Sequence, residues 1–160
     1  MATRFVGTAE SAHFPSTNYP ALMLVNRRPV LAFDAATDET AYWTFVAPQG
    51  WTGTVTAVLS YIMASATSGN IYWQGQLEAV TAGDAVDLDA GTSFDTANSG
   101  NGAVPATAGY MQQISITITN ADSIAAGDLV RLSINRDADN ASDTATGDAY
   151  LIAVELRDAA

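Results

Sequence analysis

The stretch QQISITIT, residues 112–119, decides the fold class because its apolar and polar residues alternate without a break. Ile114, Ile116 and Ile118 fall on one face of an extended chain, and the residues between them are polar. A strand with one buried face and one solvated face shows this period of two, and β-branched side chains are enriched in strands. The stretch therefore predicts a half-buried strand of an antiparallel sheet.

Six further segments follow the same pattern of alternation or of short apolar runs, and no segment shows a sustained helical period. Gly, Asp, Asn and Ser residues between the segments are typical of turns. Strands joined in this way predict an all-β fold, an antiparallel β-sandwich that resembles a jelly roll. The six segments are VLAF (30–33), AYWTFVAP (41–48), TVTAVLSYIM (54–63), NIYWQGQLEAV (70–80), DLVRLSINR (128–136) and AYLIAVELR (149–157).

Length and charge limit the classes of function. The chain has 160 residues, one ordinary domain by length, and it contains no Cys that could form a disulfide or a thiolate metal site. Seventeen acids face six bases, which gives a net charge of −11. This charge repels phosphate backbones, so we expect no nucleic-acid partner. No apolar run reaches the length of a membrane span, so we expect no membrane partner either.

The first 20 residues differ from the rest of the chain. They contain several Ser, Thr and Pro residues and isolated aromatic residues, with neither a helical nor a strand period. We expect residues 1–20 to form an extended N-terminal arm and residues 21–160 to form a single sandwich domain. Either a neighbouring molecule holds this arm, or the arm packs on its own domain.

One connection is unusually long. Residues 81–111 hold five Gly and four Asp, and a structureless loop of this length usually has a function. We expect it either to cross the top of the sandwich or to reach a neighbouring subunit. Asp84, Asp87 and Asp89 form a possible cation site within it, but charges in Gly-rich loops are usually solvated, and we favour that interpretation.

A second acidic cluster follows the segment 128–136. Asp137, Asp139, Asp143 and Asp148 loosely match the ligand spacing of an EF-hand, but the loop lacks the central Gly and strands flank it. We therefore favour a polar turn without a metal. Arg136 has apolar strand neighbours, so it either forms an ion pair with Asp143 or Asp137, or lies exposed at the strand end.

No catalytic motif is present. His13 is the only His, which excludes a His-based triad and a multi-His metal site. It either contacts a partner or points into solvent. The four Glu residues lie in unrelated contexts, and no local motif pairs them for glycosidase chemistry. We expect no enzyme activity, no cofactor and no metal.

The aromatic residues leave one question open. Trp residues at alternating positions of a sandwich are more often part of the core than of a sugar-binding surface. Trp51 is different because it lies in a turn between Gly50 and Gly53. It is the best candidate for an exposed aromatic side chain.

Three blocks of sequence carry a resemblance to a known group of proteins. They are RPVLAFDAATDETAYWTFVAPQGWTG (28–53), TVTAVLSYIMASATSGNIYWQGQLEAV (54–80) and GDLVRLSINRDADNASDTATGDAYLIAVEL (127–156). The pattern resembles the jelly-roll capsid cement or decoration proteins of tailed bacteriophages and related tail or fibre modules. It covers roughly residues 28–157, and it specifies the architecture better than the role.

The resemblance implies a virion structural protein that is made in the cytoplasm of the host bacterium. Such a protein would bind the major capsid protein on the capsid surface as a homotrimer, and it would stabilise the shell because it binds the assembled lattice. The alternative is a glycan- or receptor-binding β-sandwich module of a phage tail or fibre. The expected partner-binding residues are Arg4, Phe5, His13, Phe14, Tyr19 and Trp51.

Overall fold

In the computed structural model, which describes residues 1–51 and 53–159, ten strands form two antiparallel sheets. A single turn of 3-10 helix, Ala9–Ser11, is the one helical element of the described residues. The strands are β1 (Thr3–Thr8), β2 (Ala21–Val25), β3 (Arg28–Phe33), β4 (Glu39–Val46), β5 (Val55–Met63), β6 (Asn70–Val80), β7 (Asn98–Ala103), β8 (Gln112–Ile118), β9 (Leu129–Arg136) and β10 (Ala149–Asp158).

The strand order is that of a jelly roll. Sheet A has the order β2-β3-β10-β5-β8, and β1 also pairs with β10, while sheet B has the order β4-β9-β6-β7. From β3 onward, successive strands alternate between the two sheets, except that β6 and β7 are neighbours in sheet B, and this is the double-sheet arrangement of two Greek keys. The predicted all-β antiparallel sandwich is therefore confirmed.

The core lies between the two sheets and follows the alternation of the sequence. Ile116 and Ile118 of β8 are completely buried, and Ile114 at the strand's start is 8% exposed. Trp43 of β4 and Trp73 of β6 are the largest buried side chains. Complete burial of an apolar side chain contributes roughly 1.5–3 kcal/mol, so these inward faces hold the two sheets together.

The structure corrects the prediction that residues 1–20 are an extended arm without secondary structure. The first part of this segment is a strand of the sandwich. β1 pairs with the second half of β10, from Thr3 opposite Arg157 to Thr8 opposite Ala153. The irregular register between Thr3 and Phe5 interrupts the period of two, so the sequence shows no strand signal there. Pairing across some 150 residues, and not local propensity, forms this strand.

Two further strands, β2 and β7, are absent from the sequence analysis. β2 and β7 carry no clear alternating pattern and were not expected as strands; β7 lies inside the segment 81–111, which is therefore not structureless throughout. The consecutive strands β5 and β6 lie in different sheets. Residues 64–69 therefore cross from one sheet to the other.

Among the described residues, no helix has the length and apolar character needed to cross a membrane.

Candidate functional site

The loop after β9 is held by a buried ion pair. Arg136 donates from Nε and Nη2 to the two carboxylate oxygens of Asp143, at 3.0 and 2.9 Å, and the side chains are 0% and 1% exposed. Its remaining donors reach the carbonyl oxygens of Gly147 and Ala145. Of the two interpretations of Arg136, the ion pair with Asp143 is confirmed.

The other acids of this loop serve local structure. Asp137 accepts hydrogen bonds from the amides of Gln74 and Asn140, and Asp148 accepts one from the backbone N–H of Ala35. Since Asp143 is committed to Arg136, the four carboxylates do not converge as EF-hand ligands would. The loop is the polar turn that the sequence analysis favoured.

A different set of three carboxylates does converge. Asp38, in the turn before β4, lies beside Asp137 and Asp139, and one oxygen of each lies within 4.8 Å of the others. The negative charge of Asp38 raises the pKa of Asp139. A divalent cation bound there would relieve this repulsion, but exposed acidic groups commonly approach without one, and no other His, Cys, Asp or Glu of the described residues joins the cluster.

Beneath the ion pair, two buried polar atoms have no hydrogen-bond partner among residues 1–51 and 53–159. They are the hydroxyl of Tyr61 and the indole nitrogen of Trp73, whose rings lie 6.0 Å apart. Burial raises the pKa of Tyr61 to about 12, so this hydroxyl stays protonated at neutral pH. These groups lie in the core and offer no surface to a ligand.

The six expected partner-binding residues fall into two groups at different places. Arg4, Phe5 and Trp51 come together at the end of the sandwich opposite Arg136. Arg4 forms two hydrogen bonds with Asp158, at 2.6 and 2.9 Å, and Phe5 stacks on Phe45 with ring centroids 4.2 Å apart. These side chains are therefore engaged within the chain.

Trp51 is buried, which corrects the expectation that it is exposed. It is 6% exposed and its ring lies 6.2 Å from that of Phe45. The flanking Gly50 and Gly53 have φ angles of 83° and 66°, in a region that glycine reaches without strain. These two residues turn the chain so that Trp51 folds back over the end of the core.

His13, Phe14 and Tyr19 form the second group, along the open edge of β4. The backbone of His13 exchanges two hydrogen bonds with that of Tyr42, at 2.7 and 2.9 Å. Phe14 and Tyr19 lie next to each other, with ring centroids 5.6 Å apart, and are 37% and 48% exposed. This group can contact a partner.

The outer face of sheet B, beside that edge, carries a row of polar side chains. Asn135 of β9 lies directly opposite Gln74 of β6, and Tyr72 follows on the same face of β6. The amide groups donate to neighbouring side chains, Gln74 to Asp137 and Asn135 to Thr40. Among the described residues, no donor reaches the amide oxygen of Gln74 or of Asn135, so both oxygens are free to accept.

The first part of the long connection covers the rest of this face. Phe94 stacks on Tyr42 at 5.7 Å, and the guanidinium of Arg131 lies 4.8 Å from the Phe94 ring. Arg131 is also paired with Glu78, which is 4% exposed. The loop therefore neither crosses the top of the sandwich nor stands free: it packs on sheet B.

The loop leaves a small cavity near its start. The cavity has a volume of about 150 Å³ and lies among Leu88, Glu78 and Arg131. This volume is below the roughly 300–1,000 Å³ of typical small-molecule pockets. A ligand of sheet B would therefore lie on the uncovered polar row and not in an enclosed pocket.

The acids of this loop behave as the sequence analysis favoured. Asp84, Asp87 and Asp89 are exposed. Asp84 accepts a hydrogen bond from the backbone of Thr81, and Asp87 accepts one from the backbone of Asp89. They cap a solvated turn.

Sequence reasoning did not single out Gln74 and Asn135 as site residues, although the signal was present. Both lie on the polar faces of the strands predicted at 70–80 and 128–136. What the sequence lacks is the pairing of β6 with β9, which places the two amides side by side. Phe94 carried no signal, because the loop's path over sheet B is not encoded locally.

No protein-family model and no curated protein sequence matches the chain. Among solved structures, it is similar to "CBM35 from Cellvibrio japonicus Abf62", with 10% identity and a TM-score of 0.53, over 98% of this chain and 94% of that chain. It is also similar to a non-crystalline cellulose specific carbohydrate-binding module, CBM28, with 11% identity and a TM-score of 0.45, over 94% and 86%. At 10% identity the first likeness shows the fold alone, and the second is too weak to add to it.

Proposed function

We propose that the chain is a non-catalytic binding module that takes a carbohydrate on the outer face of sheet B. The observation that carries the proposal is the polar row of Tyr72, Gln74 and Asn135. Two amide oxygens there have no donor among the described residues, and an aromatic ring lies beside them. The likeness to a carbohydrate-binding module supports the choice of ligand, although a shared fold by itself does not fix a function.

The chemistry of this row suits a sugar. A sugar hydroxyl offers one donor and two acceptor lone pairs, as the hydroxyl of Ser does, so it can donate to a free amide oxygen. The ring of Tyr72 offers an apolar surface for the C–H groups of a pyranose, and its hydroxyl offers a polar contact at the edge. An open face without an enclosed pocket fits a glycan chain that passes across the strands.

The exposed aromatic pair extends the same surface. Phe14 and Tyr19 lie along β4, at the edge of sheet B, and are held there because His13 is hydrogen-bonded to Tyr42. A glycan longer than the polar row would reach this pair. Two of the expected partner-binding residues would then contact the ligand, in the role of the alternative function and not of a capsid contact.

The test is a glycan array followed by isothermal titration calorimetry of the strongest ligand. We expect Tyr72→Ala and Gln74→Ala each to weaken binding by about tenfold or more, which corresponds to about 1.4 kcal/mol. Tyr110→Ala is the matched control, because Tyr110 is 65% exposed and lies away from sheet B, in the turn before β8. An array without ligands, or a ligand that Tyr110→Ala weakens as strongly as Tyr72→Ala, would overturn the proposal.

A second candidate is the virion accessory protein that the sequence resembles, bound to the major capsid protein and to itself as a homotrimer on the capsid surface. One observation favours a lattice of protein contacts: β2 exposes the apolar side chains of Leu22, Met23 and Leu24. Deleting residues 1–20 would not test this role cleanly, because it removes β1 from sheet A. Electron microscopy of the virion, locating this chain on the shell or away from it, decides between the candidates.

A further inference from the structure

The β2–β3 hairpin is the least covered apolar part of the fold. Leu22, Met23 and Leu24 are 51%, 38% and 69% exposed, although they form three consecutive positions of a strand. Scattered apolar side chains are normal on a surface, but a contiguous apolar patch marks an interaction site. The described part of the chain leaves these side chains largely uncovered, so the hairpin is a candidate interaction surface.

The two leucines point toward the side of sheet A on which the core lies. Leu22 is opposite Leu31, which is completely buried, and Leu24 is opposite Pro29. Cross-strand partners share a face of the sheet, so the leucines continue the inward face of β3. β2 packs mainly on β3, however, and sheet B does not extend over it. Because sheet B does not cover this part of sheet A, the face with Leu22 and Leu24 is apolar surface that another chain can cover.

The backbone of β2 is also open along its outer edge. Asn26 and Arg27 have φ angles of 45° and 66°, as in a two-residue hairpin turn of type I′. In such a hairpin the closing pair, Val25 and Arg28, exchanges both hydrogen bonds, and every second pair does so. The N–H and C=O groups of Leu22 and Leu24 therefore point away from β3.

This edge lacks the usual protection against pairing. Exposed edge strands are normally protected by Pro, by charged side chains or by a bulge. β2 consists of ALMLV, and its register with β3 is continuous. It is therefore ready to accept another strand.

The charge of the hairpin limits what that strand belongs to. No acid occurs in the sequence between Glu10 and Asp34, and Arg27 and Arg28 at the tip are exposed. Among the described residues, Glu10 is the one acid that lines the concave surface beside Leu22, Leu24 and Arg27. Neither arginine forms a salt bridge with a described residue. The hairpin is thus a basic, apolar patch on a chain of net charge −11, and the acidic body of another copy of this chain complements it.

We propose that β2 pairs antiparallel with β2 of a second copy, about a two-fold axis at Met23. In this register Leu22 of one copy lies opposite Leu24 of the other, so both free backbone edges are used. The four leucines then cover one another on one face, as cross-strand pairs do. The two basic tips point in opposite directions, so they do not repel each other, and the contact is closed as two-fold contacts are.

Sedimentation velocity of the full chain tests the stoichiometry. We expect a species of twice 16.7 kDa at micromolar concentration. The variant Leu22→Lys/Leu24→Lys should sediment as a monomer, because each copy would place two charges at the shared edge. Leu88→Lys is the control, since Leu88 is 58% exposed on the loop over sheet B, and it should remain a dimer. Unchanged thermal unfolding of the dilute variant shows that the double change has not unfolded it.

Hydrogen exchange distinguishes strand pairing from a merely apolar contact. We expect the amides of Leu22 and Leu24 to exchange at least tenfold more slowly at concentrations that favour the dimer than in dilute protein. The amides of Ala21, Met23 and Val25 already face β3 and should change little. A monomer at 100 µM, a trimer, or exchange at Leu22 and Leu24 that does not depend on concentration would each overturn the two-fold pairing. None of these results depends on whether sheet B binds a carbohydrate.

Discussion

The two ends of the sandwich are closed by opposite kinds of chemistry. At the end where β9 finishes, Arg136 and Asp143 form a buried ion pair whose other donors reach loop carbonyl groups. At the other end Phe45 stacks on Phe5 and lies at a tilt beside Trp51, with a partly exposed ion pair between Arg4 and Asp158. We call these the polar end and the aromatic end.

The difference follows from the groups that each end of the sandwich buries. At the polar end one side chain donates to the carbonyl groups of Gly147 and Ala145 in the loop after β9 and of Phe33 in β3, and a buried carbonyl group without a donor is costly. At the aromatic end packed rings close the core, and the ion pair of Arg4 with Asp158 lies outside them. Removing one partner at the polar end should therefore lower the free energy of unfolding strongly, whereas a single change at the aromatic end should lower it less.

The largest expected effect is at the polar end. Asp143→Ala leaves the guanidinium of Arg136 buried without its counter-charge, and breaking a buried pair in this way costs about 3–5 kcal/mol. Urea unfolding followed by Trp fluorescence measures it. Asp139→Ala is the control, since Asp139 is exposed in the same loop and should change the midpoint little. Equal midpoints for the two variants would show that the ion pair does not close this end.

The next effect tests how firmly β1 is held beside the aromatic end. A Cβ on Gly7 would lie 2.7 Å from Cδ1 of Trp43, whose indole N–H donates to the carbonyl of Thr8. Gly7→Ala therefore forces β1 or the buried indole to move, and overpacking of this kind costs about 1–3 kcal/mol.

Gly91→Ala is the matched control for that change, because a Cβ on Gly91 meets no atom within 4 Å. We expect Gly7→Ala to lower the melting temperature and Gly91→Ala to leave it unchanged, and thermal unfolding measures both. If the two variants melt together, β1 is not fixed against Trp43, and the first residues are a loose arm after all.

The smallest effects concern the pH dependence of stability. As the pH rises, the contribution of the aromatic end should increase and that of the polar end should decrease. At the aromatic end the hydrogen bond from Arg4 lowers the pKa of Asp158. The pair's contribution is therefore present above the usual Asp pKa of about 3.9 and is lost as the pH falls through the folded value. Asp158→Asn should remove that loss on acidification.

At the polar end burial raises the pKa of Glu39. The folded chain then prefers the protonated carboxyl group, so stability falls as the pH rises from about 4.3 through the raised value. Glu39→Gln should remove that fall. Free energies of unfolding between pH 3 and pH 7 check both, and two variants that shift the profile in the same direction would contradict the comparison.

The candidate site was half visible in the sequence. The alternation of 70–80 and 128–136 assigned Tyr72, Gln74 and Asn135 to polar faces, which is correct. It could not show that these faces belong to neighbouring strands of one sheet, because register depends on partners far apart in the chain. The sequence predicted an exposed Trp51 because glycines flank it in a turn. It does not show the contact between Trp51 and Phe45, which lies in a strand.

The sequence by itself determined the sandwich and the inward isoleucines, because the alternation of apolar and polar residues is a local property of each segment. It left the ion pair of Arg136 as one of two interpretations, and the structure decided between them. The tertiary structure alone decided that residues 3–8 are a strand, that the loop after β6 lies over sheet B, and that β2 is left without a covering layer. Each of these depends on which distant segments meet. That is set by the total burial of the fold, and no single segment carries it.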